Sequence, residues 1–221
     1  MSNVLITGAN RGLGLAFARK YRQRGETVIG TARNPDEAQE LADTGARVEA
    51  LDVNDGESVA SLADRLGETP VDLLVLNAGI LADDPWPDFD PQSVLEQLET
   101  NALGPLRVVQ ALRRHLDLSE APKVIAVSSV MGSIEETTDG GYYGYRSSKA
   151  ALNAIVRTLS VDLKPTPVTA VHPGYVKTRM TNQQGHVTPD ESVADLVQLI
   201  DRVDQAMSGR FFDRHGQELP W

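Results

Sequence analysis

Tyr145 and Lys149 are the residues whose types and spacing most directly suggest chemistry. If both lie in the first turns of a helix continued by the run 150–156, their separation of four places phenol and ammonium on one face. A free tyrosine titrates near ~10 and is a poor acid or base at neutral pH. A neighbouring cation stabilises the phenolate and brings it toward the working range, so the pair is a candidate for proton transfer. Such pairs also occur on ordinary surface helices. Their meaning depends on the elements around them.

Short apolar, β-branched runs alternate with longer segments of helical period, which predicts an α/β fold: a doubly wound parallel sheet of seven strands, with helices on both faces and right-handed crossovers. The strands are expected at 4–7, 27–31, 47–51, 71–76, 124–127, 167–171 and 210–213. Within 71–76, Leu73-Leu74-Val75-Leu76 is unbroken and apolar, as a strand buried on both faces requires. Helices are expected at 13–24, after Asn34-Pro35, after Asp55, from Pro91 to about His115 with a bend at Gly104-Pro105, around Tyr145 and Lys149 to about 163, and after Thr188-Pro189. Residues 1–221 read as one domain.

Composition removes several classes of function. With no cysteine there is no disulfide, thiol nucleophile or thiolate metal site. The four histidines, at 115, 172, 186 and 215, lack ligand spacing, and no metal is expected. No basic leader or membrane-length apolar run occurs, so a soluble, cytoplasmic protein is expected. A net charge of -10 argues against nucleic acid and anionic membrane as partners.

Three further groups of residues give Tyr145 and Lys149 a context. The first expected strand ends in Thr7-Gly8-Ala9-Asn10-Arg11-Gly12-Leu13-Gly14, where glycines at a strand-to-helix turn let backbone approach a pyrophosphate. Asn77-Ala78-Gly79 follows the fourth strand, and Tyr145-Arg146-Ser147-Ser148-Lys149 opens a helix. In this order and at these intervals the chain resembles the short-chain dehydrogenase/reductase family over essentially its whole length. Asp139-Gly140-Gly141, the 145–149 core and Leu219-Pro220-Trp221 are similar to its sniffer and C-factor-like carbonyl-reductase branch.

The resemblance implies a Rossmann-type fold and a set of roles. Tyr145 is the catalytic acid/base, and Lys149 binds the nicotinamide ribose and lowers the pKa of the tyrosine. Ser129 hydrogen-bonds the substrate carbonyl, and Asn101 holds a water in a proton relay. Gly8, Asn10, Arg11, Gly12, Leu13 and Gly14 form the nucleotide turn, with Asn77, Ala78 and Gly79 beside it. Asp52 and Val53 resemble the adenine-contacting pair, and Pro173, Gly174, Val176 and Thr178 lie in the segment that holds the carboxamide. Family members commonly place the serine nearer the tyrosine, at the interval that here separates Ser129 from Tyr142. Tyr145 is preferred because Ser148-Lys149-Ala150-Ala151 continues the motif from it. The extra residues then form a longer loop beside the site.

Charge indicates the cofactor. An NAD site usually offers an acid at the end of the second strand, but here Gly30-Thr31-Ala32-Arg33 has none. Arg33 and Arg11 suit a 2′-phosphate instead, which predicts NADP(H). Residues 179–187 are short and polar, so the pocket is expected to be open there, while Pro85, Trp86 and Pro87 are placed to line it or to cap the core. The reading is an NADPH-dependent reductase of small-molecule aldehydes or ketones. Its rival is an NADP-binding regulatory protein of C-factor type with little turnover. Small residues at 150, 151 and 154 are compatible with a partner helix, and a homodimer is expected.

Overall fold

The computed structural model describes residues 1–221. In chain order the elements are β1 (Asn3–Ile6), α1 (Gly12–Gln23), β2 (Thr27–Ala32), α2 (Gln39–Ala42), β3 (Arg47–Ala50), α3 (Gly56–Leu66), β4 (Leu73–Leu76), α4 (Pro91–Leu98), α5 (Gly104–Ala111), α6 (Arg113–Asp117), β5 (Lys123–Val127), α7 (Tyr143–Asp162), β6 (Val168–His172), α8 (Pro189–Arg202) and β7 (Phe211–Asp213). The seven strands form one parallel sheet in the order β3-β2-β1-β4-β5-β6-β7. The order reverses between β1 and β4. Loops leaving those two strands diverge there, which opens a crevice at the carboxyl edge of the sheet.

Alternate strand residues feed two apolar layers. Val4, Ile6, Val28 and Val75 pack against α1 and α8 through Phe17, Leu196 and Ile200. Leu5, Ile29, Leu74 and Leu76 pack on the other face against α3, α5 and α7 through Leu62, Val108 and Leu152. The expected strands are all present, with ends shifted by one or two residues.

Two helix expectations are corrected. The segment after Asn34 is one 3-10 turn, Pro35–Glu37, followed by the four-residue α2, too short for the helix its capping pattern suggested. Asn34 does accept from the Asp36 N–H, at 3.3 Å. The helix expected from Pro91 to His115 widens into a π-helical turn at Glu99–Leu103 and breaks again at Leu112. Pro105 has no N–H to give the carbonyl four residues back, so Asn101 loses its α-helical partner and the turn expands. Gly104 fits here because a Cβ would stand 2.8 Å from Val53 Cγ2.

Candidate active site

The glycine turn hangs on the buried hydroxyl of Thr7. Its Oγ1 accepts from the N–H groups of Asn77 and Ala78, at 2.9 and 3.0 Å, while Asn77 Nδ2 donates to the carbonyls of Thr7 and Gly8, both at 3.0 Å. β1 and β4 are thereby tied together beyond their last ladder bonds. Gly8 and Gly12 have φ of 64° and 55°, which side-chain-bearing residues rarely adopt. The α1 N-terminus that follows has no side-chain cap and no acid in its first turn. Its free N–H groups and positive dipole end face the crevice, with Asn10 and Leu13 half-buried in the same turn.

Arg11 and Arg33 are exposed beside this turn, and neither belongs to an ion pair. The loops carrying them are joined where Ala9 N–H donates to the Thr31 carbonyl at 2.8 Å. Asp52 turns back on itself, its carboxylate accepting from the Asn54 N–H at 3.0 Å, and Val53 is buried against α5. Uncapped helix donors, a turn that excludes side chains and two unpaired guanidinium groups fit a phosphorylated dinucleotide.

On the far side of the crevice Gly174 turns the chain out of β6 with φ of 84°, and the Pro173 carbonyl accepts from Ser192 Oγ at 2.7 Å. Val176 is buried, and a Cβ on Gly12 would lie 3.6 Å from Thr178 Cγ2, so this segment reaches the glycine turn. The polar residues beyond fold back compactly, with Lys177 N–H donating to the Val187 carbonyl at 2.8 Å. Between them runs a cleft of about 360 Å³ with Arg11, Gly12, Lys177 and Thr178 in its walls.

The remaining site residues converge at the start of α7. Tyr145 and Lys149 are buried, one turn apart on one face, with Nζ 5.8 Å from the phenol ring centroid. Lys149 Nζ donates to the Val127 carbonyl at 2.9 Å and stands beside Gly79, where a Cβ would lie 3.7 Å from it. Ser129 Oγ accepts from the Met131 N–H at 3.2 Å and is close enough to the Tyr145 phenol to favour its ionised form. The other nearby serines are committed elsewhere: Ser128 donates to Asn153 Oδ1 at 2.6 Å, and Ser133 to the Trp221 carbonyl at 3.1 Å. Ser129 is thus the serine that meets Tyr145. Tyr142 precedes the helix with φ of 53° and stays partly exposed.

Asn101, wholly buried in the π-helical turn, accepts from Ile80 N–H at 2.8 Å and donates to the Ile80 carbonyl at 2.8 Å and to Ser148 Oγ at 2.9 Å. It fastens the segment after Gly79 to the second turn of α7. Burial pushes Tyr145 up to about 12, partly opposed by the Ser129 hydroxyl, and burial depresses Lys149 to about 8, so in this cavity the phenol holds its proton at neutral pH.

His172 ends β6 and accepts the Val130 N–H on Nδ1 at 3.3 Å, fixing the backbone just after Ser129. Burial holds its pKa down to about 4. Its ordinary value is near 6.5, so the unfolded chain binds more protons between pH 6.5 and 4 and the fold loses stability as pH falls through that window. The loss has an upper bound of about 3 kcal/mol. Urea midpoints at pH 7 and 4.5 should therefore separate less in His172→Asn, whose amide oxygen can still accept from Val130. An equal separation would show that His172 does not set the acid sensitivity.

Two features had no clear signal in the sequence. Trp86 is largely exposed, so it does not cap the core; its ring stacks on Phe89, and both lie against Tyr143 with ring centroids 6.2–6.4 Å apart. Asp84 is buried and bonded to the first turn of α7, 60 residues away in sequence. Clustered aromatics in the 85–89 loop hinted at the first. Nothing local distinguished Asp84 from its neighbour Asp83.

The short chain dehydrogenase family model matches residues 2–188. The 1-hydroxy-2-glutathionyl-2-methyl-3-butene dehydrogenase of Rhodococcus sp. (strain AD45) is 37% identical over 230 residues, spanning 100% of both chains. The C-signal of Myxococcus xanthus is 42% identical over 157 residues, which cover 69% of this chain and 93% of that one. Among solved structures, the NADPH-bound carbonyl reductase from chicken fatty liver shares the fold with a TM-score of 0.94 at 30% identity, over 100% of this chain and 99% of that one. With its glycine turn, its Asn-Ala-Gly segment and its Tyr/Lys helix meeting at one crevice, the chain belongs to the short-chain dehydrogenase family.

Proposed function

We propose that this protein is an NADPH-dependent oxidoreductase that reduces aldehyde or ketone carbonyls to alcohols. The observation that carries the reading is the meeting of the Ser129 hydroxyl, the protonated Tyr145 phenol and Lys149 at the same crevice as the uncapped α1 N-terminus. When bound, NADPH supplies a hydride to the carbonyl carbon. The chain's own residues handle the oxygen. Ser129 Oγ and Tyr145 Oη donate to it, stabilising negative charge as it develops, and the phenolic proton is then transferred to it. A phenol pushed up to about 12 is in the acid form that reduction requires. Lys149, held by the Val127 carbonyl, orients the ribose and supplies positive charge near the phenolate that remains. Asn101, whose carbonyl lacks its α-helical partner, is the position for a water that returns a proton through Lys149.

The α1 N-terminus and glycine turn receive the diphosphate, Asp52 and Val53 border the adenine, and residues 173–178 hold the carboxamide. NADPH is favoured over NADH by the absence of an acid after β2 and by Arg11 and Arg33; the chicken carbonyl reductase is likewise described with NADPH bound. The double variant Arg33→Asp, Arg11→Ala should raise Kd for NADPH by about 10- to 100-fold, consistent with loss of two charge-assisted contacts, while changing NADH affinity far less. Equal losses for both nucleotides would show that these arginines do not read the 2′-phosphate.

The likeness to C-signal favours a second reading, in which the nucleotide is a ligand of a regulatory protein with little turnover. The buried, neighbouring hydroxyls of Ser129 and Tyr145 support chemistry, since binding alone does not require them. The deciding experiment follows NADPH and NADH consumption against aldehydes, ketones and diketones, with alcohols and NADP+ in reverse. NADPH oxidation by one carbonyl class supports the reductase. Tight NADPH binding without turnover across the panel would favour the regulatory protein.

A further inference from the structure

We infer that Asp84 is a positioning residue for Tyr145, acting as the N-terminal cap of α7 from a loop outside that helix. This deepens, and rests on, the reading of Tyr145 as the proton donor.

The 20-residue α7 begins without the usual local devices. The residue before it, Tyr142, has left-handed backbone and makes no side-chain cap, and the first turn contains no acid. Its leading N–H groups would be left to solvent at the point where the phenol must be held still. Asp84 meets this need from the loop after β4. Its Oδ2 accepts from Gly144 N–H at 2.9 Å and from Gln97 Nε2 at 3.0 Å, and its Oδ1 accepts from Ser93 Oγ at 3.2 Å. The side chain is buried, 1% exposed, and forms no ion pair. The positive end of the α7 dipole and three hydrogen bonds therefore answer its charge.

The surroundings leave little freedom. Gln97 is fully buried and accepts from Ala82 N–H at 3.0 Å, closing the polar cluster. Gly144 must lack a side chain, since a Cβ there would fall 2.8 Å from Asp84 Oδ2 and closer still to Gln97 Nε2. On the other side of the same turn, Trp86 and Phe89 pack on Tyr143. Residues 84–89 thus grip the helix at Tyr143 and Gly144, immediately before Tyr145. A rotation of this turn swings the phenol away from Ser129, and misplacement of a reacting group by about 1 Å can cost on the order of 100-fold in rate.

The test compares Asp84→Ala and Asp84→Asn with wild type in kcat, KM and NADPH affinity measured by nucleotide fluorescence, alongside hydrogen exchange along α7. Asp84→Ala should lower kcat by about 10- to 100-fold while NADPH affinity falls far less, because, of the nucleotide's contacts, only that of Lys149 with the ribose lies on α7 and the glycine turn is elsewhere. Asp84→Asn should recover most of the rate, since its amide oxygen still accepts from Gly144. Exchange in Asp84→Ala should rise at 143–147 and not at 155–162. Unchanged kcat in the alanine variant, a parallel fall in NADPH affinity, or an asparagine variant no better than alanine would overturn the inference. If Asp84→Ala does not fold, Gln97→Met keeps the volume and removes the bridge; it should lower kcat several-fold at constant NADPH affinity, and an unchanged kcat would overturn the inference equally. Absence of turnover in wild type would instead sink the reductase reading, and the exchange pattern would still decide whether Asp84 holds the turn.

Discussion

Tyr145→Phe is expected to lower kcat for carbonyl reduction by about 10²- to 10⁴-fold, the usual contribution of a positioned general acid, while NADPH binding stays within about twofold of wild type. The substitution deletes one hydroxyl from a buried ring and leaves the packing intact. What disappears is the proton source and one of two donors to the developing alkoxide. With phenylalanine at 145, the carbonyl would be held by the Ser129 hydroxyl alone. Tyr142→Phe provides the contrast. That ring is partly exposed in the turn before α7 and should change kcat by no more than about twofold. Single-turnover rates with saturating NADPH, together with nucleotide binding, check both. If Tyr142→Phe were the inactive variant, the proton donor would lie one turn earlier than the structure implies.

Gly14→Ala should remove nucleotide binding and lower stability together. A Cβ at Gly14 would lie 2.7 Å from Asn77 Nδ2 and 2.8 Å from Ala9 Cα, and closer still to the Gly8 carbonyl. These neighbours are largely backbone, and Asn77 cannot retreat without releasing the carbonyls of Thr7 and Gly8. Overpacking of this kind costs about 1–3 kcal/mol or more, which for a chain of this size lowers Tm by roughly 2–4 °C per kcal/mol. The displaced turn should also raise Kd for NADPH by about 100-fold or more, because α1's first N–H groups depend on its geometry. Gly56→Ala, at the start of α3 with nothing near the new Cβ, should keep both Tm and affinity near wild type. Differential scanning calorimetry and nucleotide titration report the two quantities separately. A Gly14→Ala protein with wild-type affinity would show that the glycine serves packing alone.

These two positions also show what was legible in the sequence. Gly14 and Tyr145 belong to local patterns, a strand running into glycines and a phenol four residues from an ammonium, so their places followed from spacing and from the family resemblance. The strands were equally readable, because runs such as Leu73–Leu76 are apolar throughout and bounded by polar turns. Features that depend on distant partners were not. The protonated state of Tyr145 depends on how much water its neighbours exclude, which a nearby lysine in sequence does not reveal. The π-helical turn around Asn101 was anticipated only as a bend at Gly104-Pro105, because the missing proline N–H acts on a carbonyl four residues upstream. Asp84 carried no signal of its own, because its partner Gly144 lies 60 residues away in sequence.

The backbone carbonyl of Trp221 accepts from the N–H groups of Ile134 and Glu135, at 3.0 and 3.2 Å, as well as from Ser133, while its ring stacks on Phe211 of β7. The loop it holds lies between Ser129 and Tyr145. The shape of that loop is therefore set by contacts made 88 residues further along the chain, so loosening the Phe211–Trp221 stack would reach the candidate site without altering any residue in it.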